Sequence, residues 1–360
     1  MKDIKKNFLL RPVPLYLLLF TLIVPPIMYY IAISPNLKAT ENIPELVVVP
    51  DSGINTNIIR LQDTGLIKPL LLVNSKVEDI SLKLLELKIR EFVEQKKKDG
   101  IVTSAAVYLN DLNTAHHLEI NGDEMYDPAS LTKVALLLLY LSKEDENPGL
   151  LNKSITFKKR LSKLYTPTIK NRSIEEGKTY SVKELLYYMI VYSDNEAFSL
   201  LGANVLYGDF IKLCNYFEIP VMTNFGANTG NNNNFVASVN SVSRFFRVLY
   251  NSTFLSRKSS QFALSLLAQS EYKDGLLKGI GPNIKVAHKF GERVERDMAQ
   301  LHEVGIVYID KNPYLIGVMT KGNDLKQLSD VLGGISKIAY EGMQNKLDGK
   351  FSIPKFSSSN

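Results

Sequence analysis

Ser130 and Lys133 stand three residues apart at the head of an almost wholly apolar run, Val134-Ala-Leu-Leu-Leu-Leu-Tyr-Leu141. Asp127-Pro128 comes just before them, and a proline disfavours helix in the preceding residue while opening a helix well itself. The pattern predicts a buried helix with both side chains on one face, because residues three apart share a helical surface. A serine hydroxyl alone is a weak nucleophile. A lysine desolvated by apolar neighbours gives up its proton near neutral pH and can take the one on serine, so the chemistry of the pair is nucleophilic acyl transfer. A plainer reading stands beside it, in which Ser130 caps the helix and Lys133 extends to water.

A second polar group breaks an apolar region downstream. Ser181-Val-Lys-Glu184 has the form of a capping box opening a helix through Val191, and Tyr192-Ser193-Asp194-Asn195-Glu196 interrupts that run before a further helical stretch from Ala197 to Leu206. Ser193 and Glu196 would themselves make a capping box for the second helix. In the chemical alternative, Ser193 relays a proton and the Asn195 amide holds a substrate carbonyl. The four histidines, His116, His117, His288 and His302, have no metal-ligand spacing, so neither a metal nor another cofactor is expected. His302-Glu303 reads as a structural pair, and Glu175-Glu176 as a solvated turn.

The elements that must position these groups are legible around them. Leu66 to Val73 reads as a strand, Asp79 to Lys98 as an amphipathic helix, and Val102 to Leu109 with His116 to Ile120 as a hairpin turning at Asn110 to Asn113. Phe210 to Phe217 and Val239 to Tyr250 read as helices, and Asn228 to Asn234 as a loop. Three strands follow, Ile284 to Gly291, Val304 to Ile309 and Tyr314 to Met319, and Leu325 to Leu347 closes the chain as a helix. Strands and a helix at each end enclosing a helical centre predict an α+β fold, with the first and last helices covering one antiparallel sheet.

The chain has 360 residues and a net charge of +6, half of it supplied before residue 12, which is no nucleic-acid signature. Cys214 is the only cysteine, which rules out an intrachain disulfide. No charge occurs from Pro12 to Leu37, and the apolar residues from Val13 to Ile33 suffice to cross a hydrocarbon core of roughly 30 Å. Basic residues before them predict a single-pass anchor in the cytoplasmic membrane, N-terminus inside. A cleaved signal peptide with Ala32-Ile-Ser34 as its site is the competing reading, which Pro35 and the length of the run disfavour. The expected organisation is a basic cytoplasmic segment (1–11), a transmembrane helix (12–33), a linker (34–66), an extracytoplasmic domain (67–345) and a polar tail (346–360).

Ser130-Leu-Thr-Lys133, Ser193-Asp-Asn195 and His288-Lys289-Phe290-Gly291, in that order on a helix start, an interhelical loop and a strand, resemble the three motifs of class A β-lactamases and penicillin-binding proteins. The resemblance covers roughly residues 67 to 345 and implies a sheet flanked by the terminal helices with an all-helical subdomain. It implies that Ser130 attacks the carbonyl of a β-lactam or a peptidoglycan stem peptide and that Lys133 takes its proton. Ser193 would pass a proton to the leaving nitrogen, and Asn195 would bind the substrate amide. Lys289, Phe290 and Gly291 would line the substrate strand, Lys289 attracting the substrate carboxylate. The backbone N–H groups of Ser130 and Glu292 would form an oxyanion hole, while Asp194 would turn inward to hold its loop.

Two departures qualify those implications. The loop glutamate that activates the deacylating water in class A β-lactamases is missing, because no Asp or Glu occurs from Ile219 to Ser270 and Glu218 falls too early. Slow or unconventional deacylation is therefore expected. Phe290 stands where the family carries a threonine or serine hydroxyl for the substrate carboxylate; its ring could instead point away and pack, since strand alternation leaves that choice open. A binder or sensor that kept the pocket and lost turnover is the alternative from another functional class.

Overall fold

Strands whose successive side chains pack into two different cores organise this protein. The computed structural model describes residues 46–49, 57–61, 65–74, 80–159, 169, 172–217, 219, 236–309 and 312–347. In chain order the elements are β1 (Leu46–Val49), β2 (Asn57–Leu61), β3 (Leu70–Asn74), α1 (Ile80–Lys98), β4 (Val102–Asp111), β5 (His117–Ile120) and α2 (Thr132–Glu146). Then come β6 (Ser154–Thr156), β7 (Thr179–Ser181), α3 (Val182–Val191), α4 (Asn195–Gly202), α5 (Tyr207–Tyr216), α6 (Val239–Asn251), α7 (Arg257–Leu267) and α8 (Leu276–Ile280). The chain continues through β8 (Lys285–Glu295), β9 (Met298–Tyr308), β10 (Tyr314–Gly322) and α9 (Leu325–Leu347).

The main sheet is antiparallel in the order β5-β4-β10-β9-β8, which leaves β8 at an edge. Odd-numbered residues of β4, among them Ala105, Val107 and Leu109, enter a core with Leu85, Ile89 and Val93 of α1 and Leu328, Leu332 and Ile335 of α9. Ala106 and Tyr108 of the same strand enter the other core, built on α2 to α7. The period of two in a strand produces this division, and each fully buried Leu or Ile contributes about 1.5–3 kcal/mol. The expectation of two terminal helices over one antiparallel sheet is met; the other half, expected to be all-helical, also holds a two-stranded sheet of β6 and β7.

Boundaries moved where polar residues are satisfied inside elements. β4 runs on to Asp111 because Asn110 is buried and its amide donates to the Ala115 and His116 carbonyls; the turn begins after Asp111, whose Oδ1 accepts from Asn113 N–H at 2.8 Å. β8 and β9 extend past the expected ends to pair Glu295 with Met298. The helix expected from Ala197 starts at Asn195 and stops at Gly202, and α5 begins at Tyr207. The segment expected as a linker holds β1 and β2, whose Val47-Val-Val49 and Ile58-Ile59 are strand formers, and they pair in the order β1-β2-β3. α7 lacks a strong sequence signal but is capped by Ser256, which accepts from Ser259 N–H. The expected membrane span at 12–33 and the Asn228–Asn234 loop lie outside the described residues, as do residues 1–11 and nearly all of 346–360. Among the described residues no single helix is long and apolar enough to cross a membrane.

Candidate active site

Ser130 lies in a tight turn, Ala129–Leu131, directly ahead of α2. Asp127 shapes that turn with each of its polar atoms. Its Oδ1 accepts from Ala129 N–H at 2.9 Å, its Oδ2 pairs with Arg293, its carbonyl accepts from His302 Nε2 at 3.0 Å, and its N–H donates to Gln300 Oε1 at 3.3 Å. Ala129 is held at φ +47°, a left-handed conformation that costs a non-glycine residue roughly 1–2 kcal/mol. No side chain caps α2, so the Ser130 hydroxyl is not spent on the helix; it accepts from Lys133 Nζ at 2.9 Å.

Lys133 runs inward and is 1 % exposed. Its Nζ also meets the Ser193 carbonyl at 2.6 Å, Asn195 Oδ1 at 2.7 Å and Ser193 Oγ at 3.1 Å. Burial holds its pKa at about 7, opposed by the Asp194 carboxylate. A neutral lysine has two N–H bonds and one lone pair. The Ser193 carbonyl and Asn195 Oδ1 are acceptors only and take the two N–H bonds, leaving the lone pair for the Ser130 hydroxyl proton. The geometry therefore suits a base.

Asp194, rather than Ser193, caps α4. Its Oδ1 accepts from Glu196 N–H at 3.0 Å and from Ser173 Oγ at 2.8 Å, and its Oδ2 accepts from Ile174 N–H at 3.0 Å. The carboxylate turns inward, as expected, and Ser193 is held at φ +57°. That conformation puts the Ser193 hydroxyl between two lysines, Lys133 and Lys289, the latter donating to it at 2.8 Å. Lys289 uses one lone pair of the hydroxyl, and the hydroxyl keeps its own proton to pass on.

Lys289 comes from β8 and is fully buried. Burial, and then the like charge of Lys133, push its pKa well below the ordinary lysine value, with Glu303 and Glu292 opposing. Gly291 seats the strand on the Ser130 turn: a Cβ there would come within 2.6 Å of the Pro128 carbonyl and 3.1 Å of Ser130 N. Gly291 is the place where this close approach requires a glycine.

Phe290 is a correction to the expected substrate-lining set. Its ring is 1 % exposed, belongs to the core under α1 and α9, and stacks on Tyr272 with centroids 4.0 Å apart. Lys289 Nζ lies 4.1 Å from its ring centroid and donates to its carbonyl at 2.8 Å. Glu292, on the same strand, is half-buried.

The histidines also sort differently from the sequence reading. Glu303 pairs with His288 at 2.5 Å and accepts from Leu276 N–H at 2.8 Å, whereas His302 holds Asp127. Gly305 stands opposite His288 and makes the room, since a Cβ there would meet His288 Cβ at 2.6 Å. His302 is kept neutral by burial, its pKa lowered to about 3, with Nδ1 accepting from Thr320 N–H at 3.1 Å. Sequence reasoning took Asp127 only as part of a helix stop and passed over Phe198, 5.8 Å from Lys133 Nζ, and Tyr272. Asp127 had a signal, a carboxylate two residues before a turn residue able to donate to it; Tyr272 had none. Glu175 and Glu176 are exposed at a turn. Among the described residues no group of three or more His, Cys, Asp or Glu could hold a metal ion.

The family model described as "Beta-lactamase enzyme family" matches residues 84–343, a span that includes every group above. A mutant of PBP-A, solved as an acyl-enzyme complex with penicillin G, is 19 % identical over 73 % of this chain and 97 % of its own, with a TM-score of 0.62. A β-lactamase from Chitinophaga pinensis is 20 % identical over 71 % of this chain and 98 % of its own, at a TM-score of 0.61. The TLA-1 extended-spectrum β-lactamase is 16 % identical over 73 % and 99 %, at 0.64. At these identities the likeness is one of fold. No curated protein matches the chain.

Proposed function

The chain belongs to the β-lactamase enzyme family, and from that premise we propose that it is a serine acyl-enzyme hydrolase or acyltransferase acting on β-lactams or peptidoglycan stem peptides. One observation carries the reading: Lys133 Nζ lies 2.9 Å from Ser130 Oγ with two carbonyl-type acceptors committed to its N–H bonds. Ser130 Oγ attacks the carbonyl carbon while Lys133 takes its proton. The backbone N–H groups of Ser130 and Glu292 stabilise the oxyanion, an arrangement supported by the close seating of Gly291 on the Ser130 turn. Ser193 passes a proton to the leaving nitrogen, and Asn195 orients the substrate amide.

Deacylation is slow in this reading, because no carboxylate occurs from residue 219 to 270 to activate water. A lasting adduct on Ser130 is the expected product. Intact mass over time on the full-length protein in mild detergent with excess penicillin G, beside Ser130→Ala, tests it: a persistent adduct absent from the variant is expected, and an equal adduct on both would refute the role of Ser130. The apolar run at 12–33 anchors the chain in the cytoplasmic membrane with the domain outside. Protease added to intact cells should remove the domain, and full protection would overturn that orientation.

A further inference from the structure

A lysine ammonium has three N–H donors, and the surroundings of Lys289 occupy them all. Two go to Ser193 Oγ and the Phe290 carbonyl, each at 2.8 Å, and the third meets the Phe290 ring, whose centroid is 4.1 Å away. The residue is fully buried. Two carboxylates, Glu303 and Glu292, and one neighbouring cation, Lys133, act on its charge. Glu303 is itself fixed by His288 and Leu276 N–H. Where a hydroxyl would help bind a substrate carboxylate, the Phe290 ring is stacked on Tyr272 and offers no hydrogen bond.

We propose that, among the acyl donors of the preceding reading, on which this inference rests, the site selects those uncharged beside the scissile bond, with an ester or carboxamide in place of a carboxylate. A carboxylate brought to Lys289 would lose its water, break a contact already made and meet the charge of the half-buried Glu292. An ester or amide gives up less hydration and carries no charge to be repelled. Lys289 then works inside the protein, holding the Ser193 hydroxyl. The covalent step keeps its balance: the Ser130 Oγ–carbon bond forms, the carbon–nitrogen bond of the donor breaks, the serine proton goes to Lys133, and a proton returns through Ser193 to the leaving nitrogen.

Penicillin G and its methyl ester differ only in that carboxylate. Their rates of adduct formation on the full-length protein, read by intact mass with Ser130→Ala as control, form the test. The ester is expected to acylate at least as fast as the acid. Glu292→Gln, a half-buried change that leaves the core alone, should move the ratio toward the acid by about two- to fivefold. A faster reaction with the acid in the unaltered protein would overturn the proposal. A fluorophosphonate, which needs no neighbouring group, separates the two levels of argument: labelling of Ser130 with no reaction from either penicillin overturns the selectivity alone, and no labelling overturns the acyl-enzyme reading beneath it.

Discussion

Lys133→Met removes the base while keeping most of the side-chain volume, and its consequences follow from one observation, the depression of the Lys133 pKa by burial to about 7. At neutral pH about half of these side chains carry a free amine, against roughly one in three thousand for an ordinary lysine. Acylation should therefore rise with pH to half its maximum near 7, and the variant should lose about 10²- to 10⁴-fold. The same shift acts on stability. The folded pKa lies below the unfolded one, so the unfolded chain binds more protons between the two values and stability climbs with pH in that window. The slope is about 1.4 kcal/mol per pH unit, and the destabilisation is fully present below the folded pKa and gone above the unfolded one. Urea unfolding of both proteins should thus show a stability difference that is flat below about pH 7 and grows in favour of the unaltered protein by roughly 4 kcal/mol toward pH 10. A difference independent of pH from about 7 to 10, or an acylation rate flat across neutrality, would refute the assignment of a desolvated Lys133 as the base.

Asp194→Ala removes a helix cap and the anchor to residues 173 and 174, so denaturant unfolding should show a loss of about 2–4 kcal/mol; a loss under about 0.5 kcal/mol would mean the loop holds itself. Gly291→Ala should slow Ser130 acylation about tenfold or more, since its methyl would force the strand off the turn, and an unchanged rate would argue against the paired N–H groups as an oxyanion hole. Ser193→Ala and Ser193→Gly both delete the relay hydroxyl, yet the glycine variant should be the more stable by about 1 kcal/mol because it relieves the left-handed backbone; the reverse order in thermal unfolding would show that no strain is stored there.

The pattern of the fold was readable wherever hydrophobic period and length agreed. α9 was expected and found at Leu325–Leu347, and the capping box of α3 forms both of its bonds, Ser181 N–H to Glu184 Oε2 at 2.7 Å and Glu184 N–H to Ser181 Oγ at 3.2 Å. Ser130, Lys133, Ser193, Asn195 and Lys289 converge because each type is costly to bury unless it meets the others. What escaped was pairwise geometry. The choice of Asp194 over Ser193 as cap depends on a backbone conformation, φ +57° at Ser193, that residue types do not announce. The side on which Phe290 falls depends on strand register, and the partner of Glu303 on a glycine two residues along its own strand.

The site draws on both cores, with Ser130, Lys133, Ser193 and Asn195 from the helical half and Lys289 from the sheet, so its precision depends on the joint between them. That joint is Asp127 with Arg293, Gln300 and His302, together with the seating of Gly291 on Pro128. A histidine in such a place would usually make the joint sensitive to pH near neutrality. Here burial lowers the His302 pKa to about 3, and the two ring nitrogens are fixed in one tautomer by a carbonyl and a backbone N–H. His302 therefore keeps one charge state and one hydrogen-bonding pattern throughout the range in which Lys133 titrates. A pH dependence of acylation near 7 is then a property of the lysine and not of the clasp that positions the serine.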